Sequence, residues 1–211
     1  FLFYRIVTER IKSVKKEEHS EREKFQLQYD ALKNQINPHF LFNSFNALMN
    51  IIEDDPKEAS LLIKHLSQFY RKITAYSEKS LITLNEELEL LDSYLFIQKK
   101  RFGNALLVSI DLNNMLKNTT YIPPLVLQLL AENAVKHNTI SKERPLHIYI
   151  NADKDFIIVH NNINVKLDKS ESEGVGLQNI KNRYKHLTVK TVESEKTDTD
   201  FIIKLPIIYS T

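Results

Sequence analysis

A proline followed by a histidine, inside a stretch that otherwise has the pattern of a helix, is the feature that most constrains this chain. The stretch covers residues 37–43 and reads NPHFLFN. A proline removes one backbone donor and crowds the preceding turn, so we expect the helix to kink immediately before His39. Apolar residues recur at helical spacing on two sides of the segment. The imidazole is therefore either a packing or capping group beside a kink, or a group with a chemical role.

The residues around His39 resemble the phosphoacceptor region of the LytS/YehU-like sensor histidine kinases, whose signature is close to LxxQINPHFLFNxLN. The sequence matches this signature from Leu32 to Asn46, with Phe45 where leucine is usual. The resemblance implies that His39 accepts the γ-phosphoryl group of ATP, and imidazole suits this role because its neutral nitrogen is nucleophilic near physiological pH. Asn43, one helical turn on, is expected to hold or orient the ring. Phe40 stands where more widespread histidine kinases carry an acidic residue, so the proton acceptor stays open.

Composition excludes several functional classes. The chain has 211 residues, of which 42% are hydrophobic, enough for one ordinary domain with a helical extension or for two small domains. Its 29 basic residues nearly balance 27 acidic ones, and no concentrated basic patch or aromatic platform is present, so we expect no direct contact with nucleic acid. The absence of cysteine excludes disulfides and thiolate sites and fits a reducing cytoplasm.

The first residues, FLFYRIV, are followed by basic residues at positions 10, 12, 15 and 16. We interpret this pattern as the end of a membrane helix that enters a positive-inside flank, the alternative being an arbitrary boundary in a soluble helix. No run approaches the ~20 apolar residues that cross a bilayer. With the family resemblance, the expected location is the cytoplasmic face of a bacterial cell membrane, with an N-terminal link to a membrane segment.

Two further helical regions precede a change of pattern. Residues 8–35 contain neither glycine nor proline and alternate in charge, which predicts a membrane-proximal helical stalk over residues 1–30, as a weak coiled coil or a solvated single helix. The acidic residues 53–55 before Pro56 are expected to cap a second helix over residues 57–76. The two helices on either side of this break predict an antiparallel hairpin, and two hairpins would form a four-helix bundle in a homodimer. Residues 31–80 are thus the predicted dimerisation and phosphotransfer domain, in which His65 is a surface or packing residue.

Residues 84–102 resemble another stretch of the same family, ELxxLxxYLxIQxxRF, and their periodicity predicts a helix packed on one face and ended by Gly103. We interpret the charged side chains of this helix as solvated or as interdomain contacts. The helix is the predicted linker and first element of a second domain, residues 81–211.

Beyond residue 105 the pattern is mixed. It predicts strands over residues 106–112, 146–150 and 156–159, helices over 123–137 and 177–186, and a final hairpin from 187–192 and 201–208. The fold class is α+β, in which the helical stalk and hairpin are followed by an α/β sandwich with helices on one face of the sheet.

Residues 124–137, PLVLQLLAENAVKH, resemble the N-box of the GHKL (Bergerat-type) ATP-binding fold. The resemblance implies that Asn133 binds a Mg²⁺ ion that bridges the phosphates of ATP, and that Lys136 and His137 face the phosphates. Taken alone, an asparagine in an apolar helix is a satisfied core amide. Leu129 stands where related hydrolytic ATPases carry a water-activating glutamate, which favours phosphoryl transfer over hydrolysis.

Two glycine boxes follow in that family. Residues 174–183, GVGLQNIKNR, resemble the second box, which implies that Gly174, Gly176, Leu177 and Asn179 bind nucleotide at the start of a helix; a plain helix-start loop is the alternative. At the first box, Asn161 replaces the aspartate that accepts a hydrogen bond from adenine. Asn162 follows it, and no glycine is present. The polar residues 163–173 are expected to form a mobile lid.

Together these resemblances imply the cytoplasmic part of a two-component sensor histidine kinase. It would autophosphorylate His39 from ATP with Mg²⁺ and pass the phosphoryl group to an aspartate of a response regulator, by family analogy of the LytTR type. Catalysis would consist of positioning and charge neutralisation. The alternative is a kinase-inactive signalling scaffold, which Asn161 and the missing glycine favour.

Overall fold

The computed structural model describes residues 38–76, 78–165 and 175–209. The predicted stalk, the kink before His39, the N-terminal flank, most of the lid and Gly174 lie outside these residues. The contact pattern divides the chain between Asn43 and Ser44. Only residues 38–43 of the first unit are described, and they form the start of helix α1, Pro38–Ile51, which continues into the second unit.

Helix α2, Pro56–Tyr76, begins after the acidic residues that the sequence predicts as its cap. The Asp55 carboxylate accepts a hydrogen bond from the Glu58 amide at 3.0 Å, which satisfies one of the free donors in the first turn. The buried face of α2 packs on helix α3, Leu84–Phe102, where the rings of Phe69 and Tyr94 have centroids 6.0 Å apart.

Helix α3 has sequence-local signals at both ends. Thr83 and Glu86 form a capping box, in which the Thr83 hydroxyl accepts from the Glu86 amide at 3.2 Å and the Glu86 carboxylate accepts from the Thr83 amide at 2.8 Å. Gly103 ends the helix at φ 55°, a conformation that glycine adopts without a Cβ penalty. The predicted helix and its predicted stop are both present.

Five strands form the main sheet in the order β2-β4-β5-β7-β6, in which β2 and β4 are parallel and the other neighbours antiparallel. These strands are β2 (Leu106–Asp111), β4 (Leu146–Ala152), β5 (Phe156–Asn162), β6 (Glu193–Lys196) and β7 (Asp200–Pro206). A small antiparallel sheet joins β1 (Ile82–Thr83), β3 (Thr120–Ile122) and β8 (Ile208–Tyr209), and α4 (Asn114–Thr119) precedes β3.

Alternate residues of the central strands are buried, as period-two side-chain alternation requires. On β5 these are Ile157, Val159 and Asn161. Helix α5, Val126–His137, contacts β4 and β5, and helix α6, Val175–Lys185, contacts α5. The predicted class, a helical part followed by an α/β sandwich, is confirmed.

The predicted strand over residues 187–192 is wrong. After α6 the amides of Leu187 and Thr188 both donate to the Tyr184 carbonyl, so this segment is a turn, and Val189 is fully exposed. The strand that pairs with β7 is β6, four exposed residues whose register follows from the turn at residues 197–199. Such an edge strand has no buried face, and therefore no hydrophobic alternation that would reveal it.

Among the helices in the described part of the chain, none has the length and apolar composition that a bilayer crossing needs.

Candidate functional site

His39 and Asn43 are one turn apart in helix α1, and His39 is exposed. The Asn43 amide nitrogen lies 3.3 Å from His39 Nδ1 and 3.2 Å from Nε2, so it donates to whichever ring nitrogen carries no hydrogen. The contact restricts rotation of the ring. The predicted pairing of these residues is thus present, and their chemical role stays a prediction.

The N-terminus of helix α5, which carries Asn133, has no local cap. Leu125 occupies the cap position without a side-chain hydrogen bond, and its φ is 67°. It is the one non-glycine residue at positive φ in the described part of the chain. The left-handed region costs an ordinary residue about 1–2 kcal/mol, so other contacts must hold this turn.

Glu87, from helix α3, supplies the missing cap. Its carboxylate accepts hydrogen bonds from the amides of Leu125 and Leu127 at 2.8 Å each, and from that of Gln128 at 3.3 Å. The side chain is fully buried. Burial raises the pKa of Glu87 to about 7, although the three amides and the nearby Arg183 guanidinium favour the ionised carboxylate.

The interpretation of the charged residues on α3 as solvated or as interdomain contacts is therefore wrong for Glu87, which is buried and bonds a turn within the same predicted domain. A signal for this was present in the sequence, because Glu87 falls on the same helical stripe as Leu84, Leu91 and Tyr94, all of which are buried. A carboxylate on an apolar stripe requires a buried partner.

Arg183 holds the same turn from helix α6. Its guanidinium donates to the Pro124 carbonyl at 2.7 Å, and it lies near enough to Glu87 for each to influence the other's ionisation. Burial lowers the pKa of Arg183, and the Glu87 carboxylate opposes that effect. The turn before α5 is thus held by the carboxyl group of Glu87 on one side and the guanidinium of Arg183 on the other.

Asn133 and Gly176 meet where α6 begins. A Cβ added to Gly176 would lie 3.2 Å from Asn133 Nδ2, closer than ordinary van der Waals contact. The absence of a side chain at position 176 therefore leaves space beside the Asn133 amide. The Asn133 side chain is half-buried, which distinguishes it from an amide enclosed in the core.

The other predicted residues of this group lie at helix ends. Lys136 is exposed and His137 is half-buried in the last turn of α5, and Leu177 and Asn179 lie in the first turns of α6, half-buried and exposed respectively. Gly174 is outside the described residues. The structure therefore places Gly176 and Asn133 together, and the roles of the remaining residues stay predictions.

Asn161 and Asn162 lie on opposite faces of β5. Asn161 is buried on the helix-covered face, and its amide donates to the Asn162 carbonyl at 2.7 Å, which leaves its side-chain oxygen as the group to accept from a base. Asn162 accepts from the His147 amide at 2.7 Å and donates to the Pro145 carbonyl at 3.0 Å. The described contacts of Asn162 therefore attach β5 to the start of β4.

Asn138 was not singled out from the sequence, although it follows helix α5 directly. It is buried, donates to the Ala134 carbonyl at 2.8 Å and accepts from the Asn164 amide at 2.5 Å. Thr139 also donates to the Asn164 carbonyl, at 2.9 Å. These bonds fix the first residues of the predicted lid segment to the end of the helix that carries Asn133.

Comparison with known proteins agrees with the motifs. The model of the histidine kinase family matches residues 27–106, which include both His39 and Glu87. The sensor protein LytS of Bacillus cereus is 40% identical over 116 residues, 55% of this chain and 19% of the relative. The sensor histidine kinase/phosphatase LytS of Staphylococcus aureus is 29% identical over 197 residues, 83% of this chain and 34% of the relative. The alignment with the solved structure of the Acinetobacter baumannii histidine kinase AdeS covers 80% of this chain and 95% of the AdeS chain, with a TM-score of 0.41 and 16% identity.

The family model matches residues 27–106 of 211, and the class of protein that this match indicates is the histidine kinases. Within that class, the chain is similar to the LytS-like sensor histidine kinases. It spans about a fifth of the length of the Bacillus cereus LytS and about a third of the Staphylococcus aureus protein.

Proposed function

We propose that this chain is the cytoplasmic part of a sensor kinase and that His39 receives the γ-phosphoryl group of ATP. The observation that carries the proposal is the close approach of the half-buried Asn133 amide to Gly176, where the absence of a side chain leaves space beside the amide. Such space lets a ligand with phosphate groups approach the amide at the N-terminus of helix α6.

The donor set suits magnesium. Mg²⁺ prefers oxygen ligands and keeps several waters, so one amide oxygen and phosphate oxygens are a sufficient set. By its match to the N-box, Asn133 is the residue that would hold the ion. When bound, Mg²⁺ neutralises charge that develops on the phosphates. Lys136 and His137 would add positive charge at the same end of the helix.

The chain's own contribution at the acceptor is the orientation of an imidazole. A neutral nitrogen of His39 forms the N–P bond as the bond from phosphorus to the ADP oxygen breaks. If the Asn43 side chain turned its oxygen to the ring N–H, it would fix the tautomer and leave the other nitrogen free to attack. Leu129 contributes no base for water, which favours transfer to histidine over hydrolysis.

Partners follow from the same proposal. Helices α1 and α2 expose apolar side chains that would pack in a four-helix bundle between two copies of the chain; on α1 and just after it these are Phe42, Phe45, Met49 and Ile52. The phosphoryl group would pass from His39 to an aspartate of a response regulator, of the LytTR type by family analogy. The chain would act at the cytoplasmic face of the membrane, beyond an N-terminal membrane segment.

A kinase-inactive scaffold is the second candidate. Asn161 supplies an uncharged acceptor where the family has aspartate, and both polar groups of the Asn162 side chain are bonded to the backbone of β4 or the residue before it. A site built in this way would bind adenine weakly, and signalling would then depend on dimer contacts alone.

Incubation with γ-labelled ATP and Mg²⁺ tests the proposal. We expect label on the parent chain and none on His39→Gln or Asn133→Ala. Two matched controls, His186→Gln and Asn151→Ala, change exposed residues outside the site and should keep the label. Calorimetry at millimolar ATP provides the second measurement.

Label that survives in His39→Gln would place the acceptor elsewhere and overturn the assignment. Absence of nucleotide binding by the folded parent would favour the scaffold. Binding without label would mean that the site holds nucleotide but that His39 is not its acceptor.

A further inference from the structure

The turn over residues 123–125 is a strained joint between β3 and helix α5. Leu125 has a φ of 67°, and its side chain cannot cap the helix that follows. The joint is therefore stable only while groups from other elements hold it.

Two helices hold this joint from different directions. From α3, the Glu87 carboxylate accepts the amides of Leu125 and Leu127 at 2.8 Å each. From α6, the Arg183 guanidinium donates to the Pro124 carbonyl at 2.7 Å. Because Glu87 is fully buried, it cannot itself touch a nucleotide, and any effect that it has on binding must pass through the helix it caps.

The two ends of the α5–α6 pair are linked by this geometry. Arg183, near the end of α6, contacts the start of α5, whereas Gly176, at the start of α6, contacts Asn133 about two turns into α5. The helices thus run antiparallel, and a shift of the joint changes the position of the Asn133 amide against Gly176. Space at that contact is limited, since even one added carbon at Gly176 would lie 3.2 Å from the amide.

We propose that Glu87 and Arg183 are positioning residues of the nucleotide site: they fix the joint at residues 123–125 and thereby place Asn133 beside Gly176. Helix α3, which packs on α2 and supplies Glu87, is then the element through which the helical part of the chain acts on nucleotide binding. The inference rests on the proposed function, because it takes the Asn133 site to bind nucleotide with Mg²⁺.

The test uses the whole chain and the variants Glu87→Gln, Arg183→Ala and Arg183→Lys. Three quantities are measured on each: affinity for a non-hydrolysable ATP analogue with Mg²⁺, hydrogen exchange of the Leu125 and Leu127 amides, and the NMR resonances of the Asn133 side-chain amide. Glu89→Gln is the matched control, since Glu89 lies on the same helix, is exposed and pairs with Lys72.

We expect Glu87→Gln to exchange the two amides faster, shift the Asn133 resonances and bind the analogue about tenfold more weakly. Arg183→Ala should do the same, and Arg183→Lys, which keeps a cationic donor, should recover most of the affinity. Glu89→Gln should match the parent in all three measurements.

Faster exchange in Glu87→Gln with unchanged Asn133 resonances would overturn the positioning role, because the cap would then be structural only. Shifted resonances with unchanged affinity for the analogue would overturn it as well. If the folded parent binds no analogue, the proposed function fails, and the Asn133 resonances still decide whether Glu87 places that side chain. If Arg183→Lys is as weak as Arg183→Ala, the role of Arg183 is wrong.

Discussion

Two neighbouring glutamates on helix α3 perform the same task for different helices. Glu86 caps its own helix through a box with Thr83, three residues away, and Glu87 caps α5 through amides 38 to 41 residues along the chain. Glu86 is half-buried and Glu87 fully buried. The local cap can be read from the sequence, whereas the remote cap exists only once the two helices pack.

Their surroundings also set their ionisation in opposite directions. For Glu86, burial opposes ionisation, but hydrogen bonds from Thr83 and Lys79 outweigh it and lower the pKa. For Glu87, burial prevails over the capping amides and raises the pKa to about 7. The comparison teaches that burial across the core can reverse the direction in which a helix cap responds to pH.

The largest difference in stability should appear when each of the two helix caps is removed. Glu87→Ala leaves two buried amides, one part-buried amide and the Arg183 cation without their partner, so we expect a loss of about 3–4 kcal/mol in the free energy of unfolding. Thr83→Ala removes a local, half-exposed cap and should cost about 1 kcal/mol. Urea denaturation measures both. Equal losses would mean that the remote cap contributes no more than the local one.

The pH dependence of stability should differ in sign between the neighbours. Because the folded state raises the pKa of Glu87 from 4.5 to about 7, it binds a proton more readily than the unfolded chain in that window. Stability from this group is present below pH 4.5 and is lost as pH rises to about 7, by roughly 3 kcal/mol. Relative to the parent, Glu87→Gln should therefore become more stable as pH rises through this window.

Glu86→Gln provides the opposite case. The pKa of Glu86 is lowered in the folded state, so its contribution to stability is present above the ordinary pKa and is lost as pH falls through the folded-state pKa.

For Glu87, a constant difference in stability between Glu87→Gln and the parent from pH 4.5 to 7 would show that the carboxyl group titrates normally.

The two glycines that the structure describes, Gly176 and Gly103, are needed for different reasons: one for the space beside it and the other for its backbone conformation. Gly176→Ala should weaken nucleotide binding about tenfold, or about 1.4 kcal/mol, because its Cβ meets Asn133. Gly103→Ala meets no atom within 4 Å but strains a residue at φ 55°, so it should reduce stability by about 1 kcal/mol and leave binding unchanged. Calorimetry measures the affinity for nucleotide, and urea denaturation measures the stability. Equal binding by the two variants would contradict the role given to Gly176.

The smallest effect concerns the other local pair. Asn43→Ala should slow the labelling of His39 about fivefold, near 1 kcal/mol, because the ring loses the contact that restricts its rotation. Affinity for ATP should not change. A loss of affinity equal to the loss of rate would mean that Asn43 acts on nucleotide binding rather than on the ring.

Much of the fold could be predicted because its signals are local. The helix over Leu84–Phe102, its stop at Gly103 and the cap of α2 by Asp55 each depend on residues within a few positions. Strands with one buried face, such as β4 and β5, show the expected alternation. The edge strand β6 was missed because all four of its side chains are exposed, so no apolar period marks it.

In the candidate site, too, some residues could be predicted from motifs, whereas others could not because their role depends on distant partners. The motifs pointed to Asn133 and Gly176, and the structure brings the two into contact. Glu87 was passed over and Asn138 was not singled out, because the importance of each depends on a partner far along the chain. Asn138 bonds Asn164, 26 residues away, and Glu87 bonds the turn before α5.

By itself, the sequence determined the resemblance to a family, the local helix signals and the pairing of His39 with Asn43, since each follows from residues within a turn or from a contiguous motif. Only the tertiary structure decided that a leucine at positive φ could begin α5, that a glutamate would be buried to cap it, and that Asn133 would lie beside Gly176. The physical reason is that a buried charge is tolerated only where packing brings donors to it, and those donors come from distant parts of the chain.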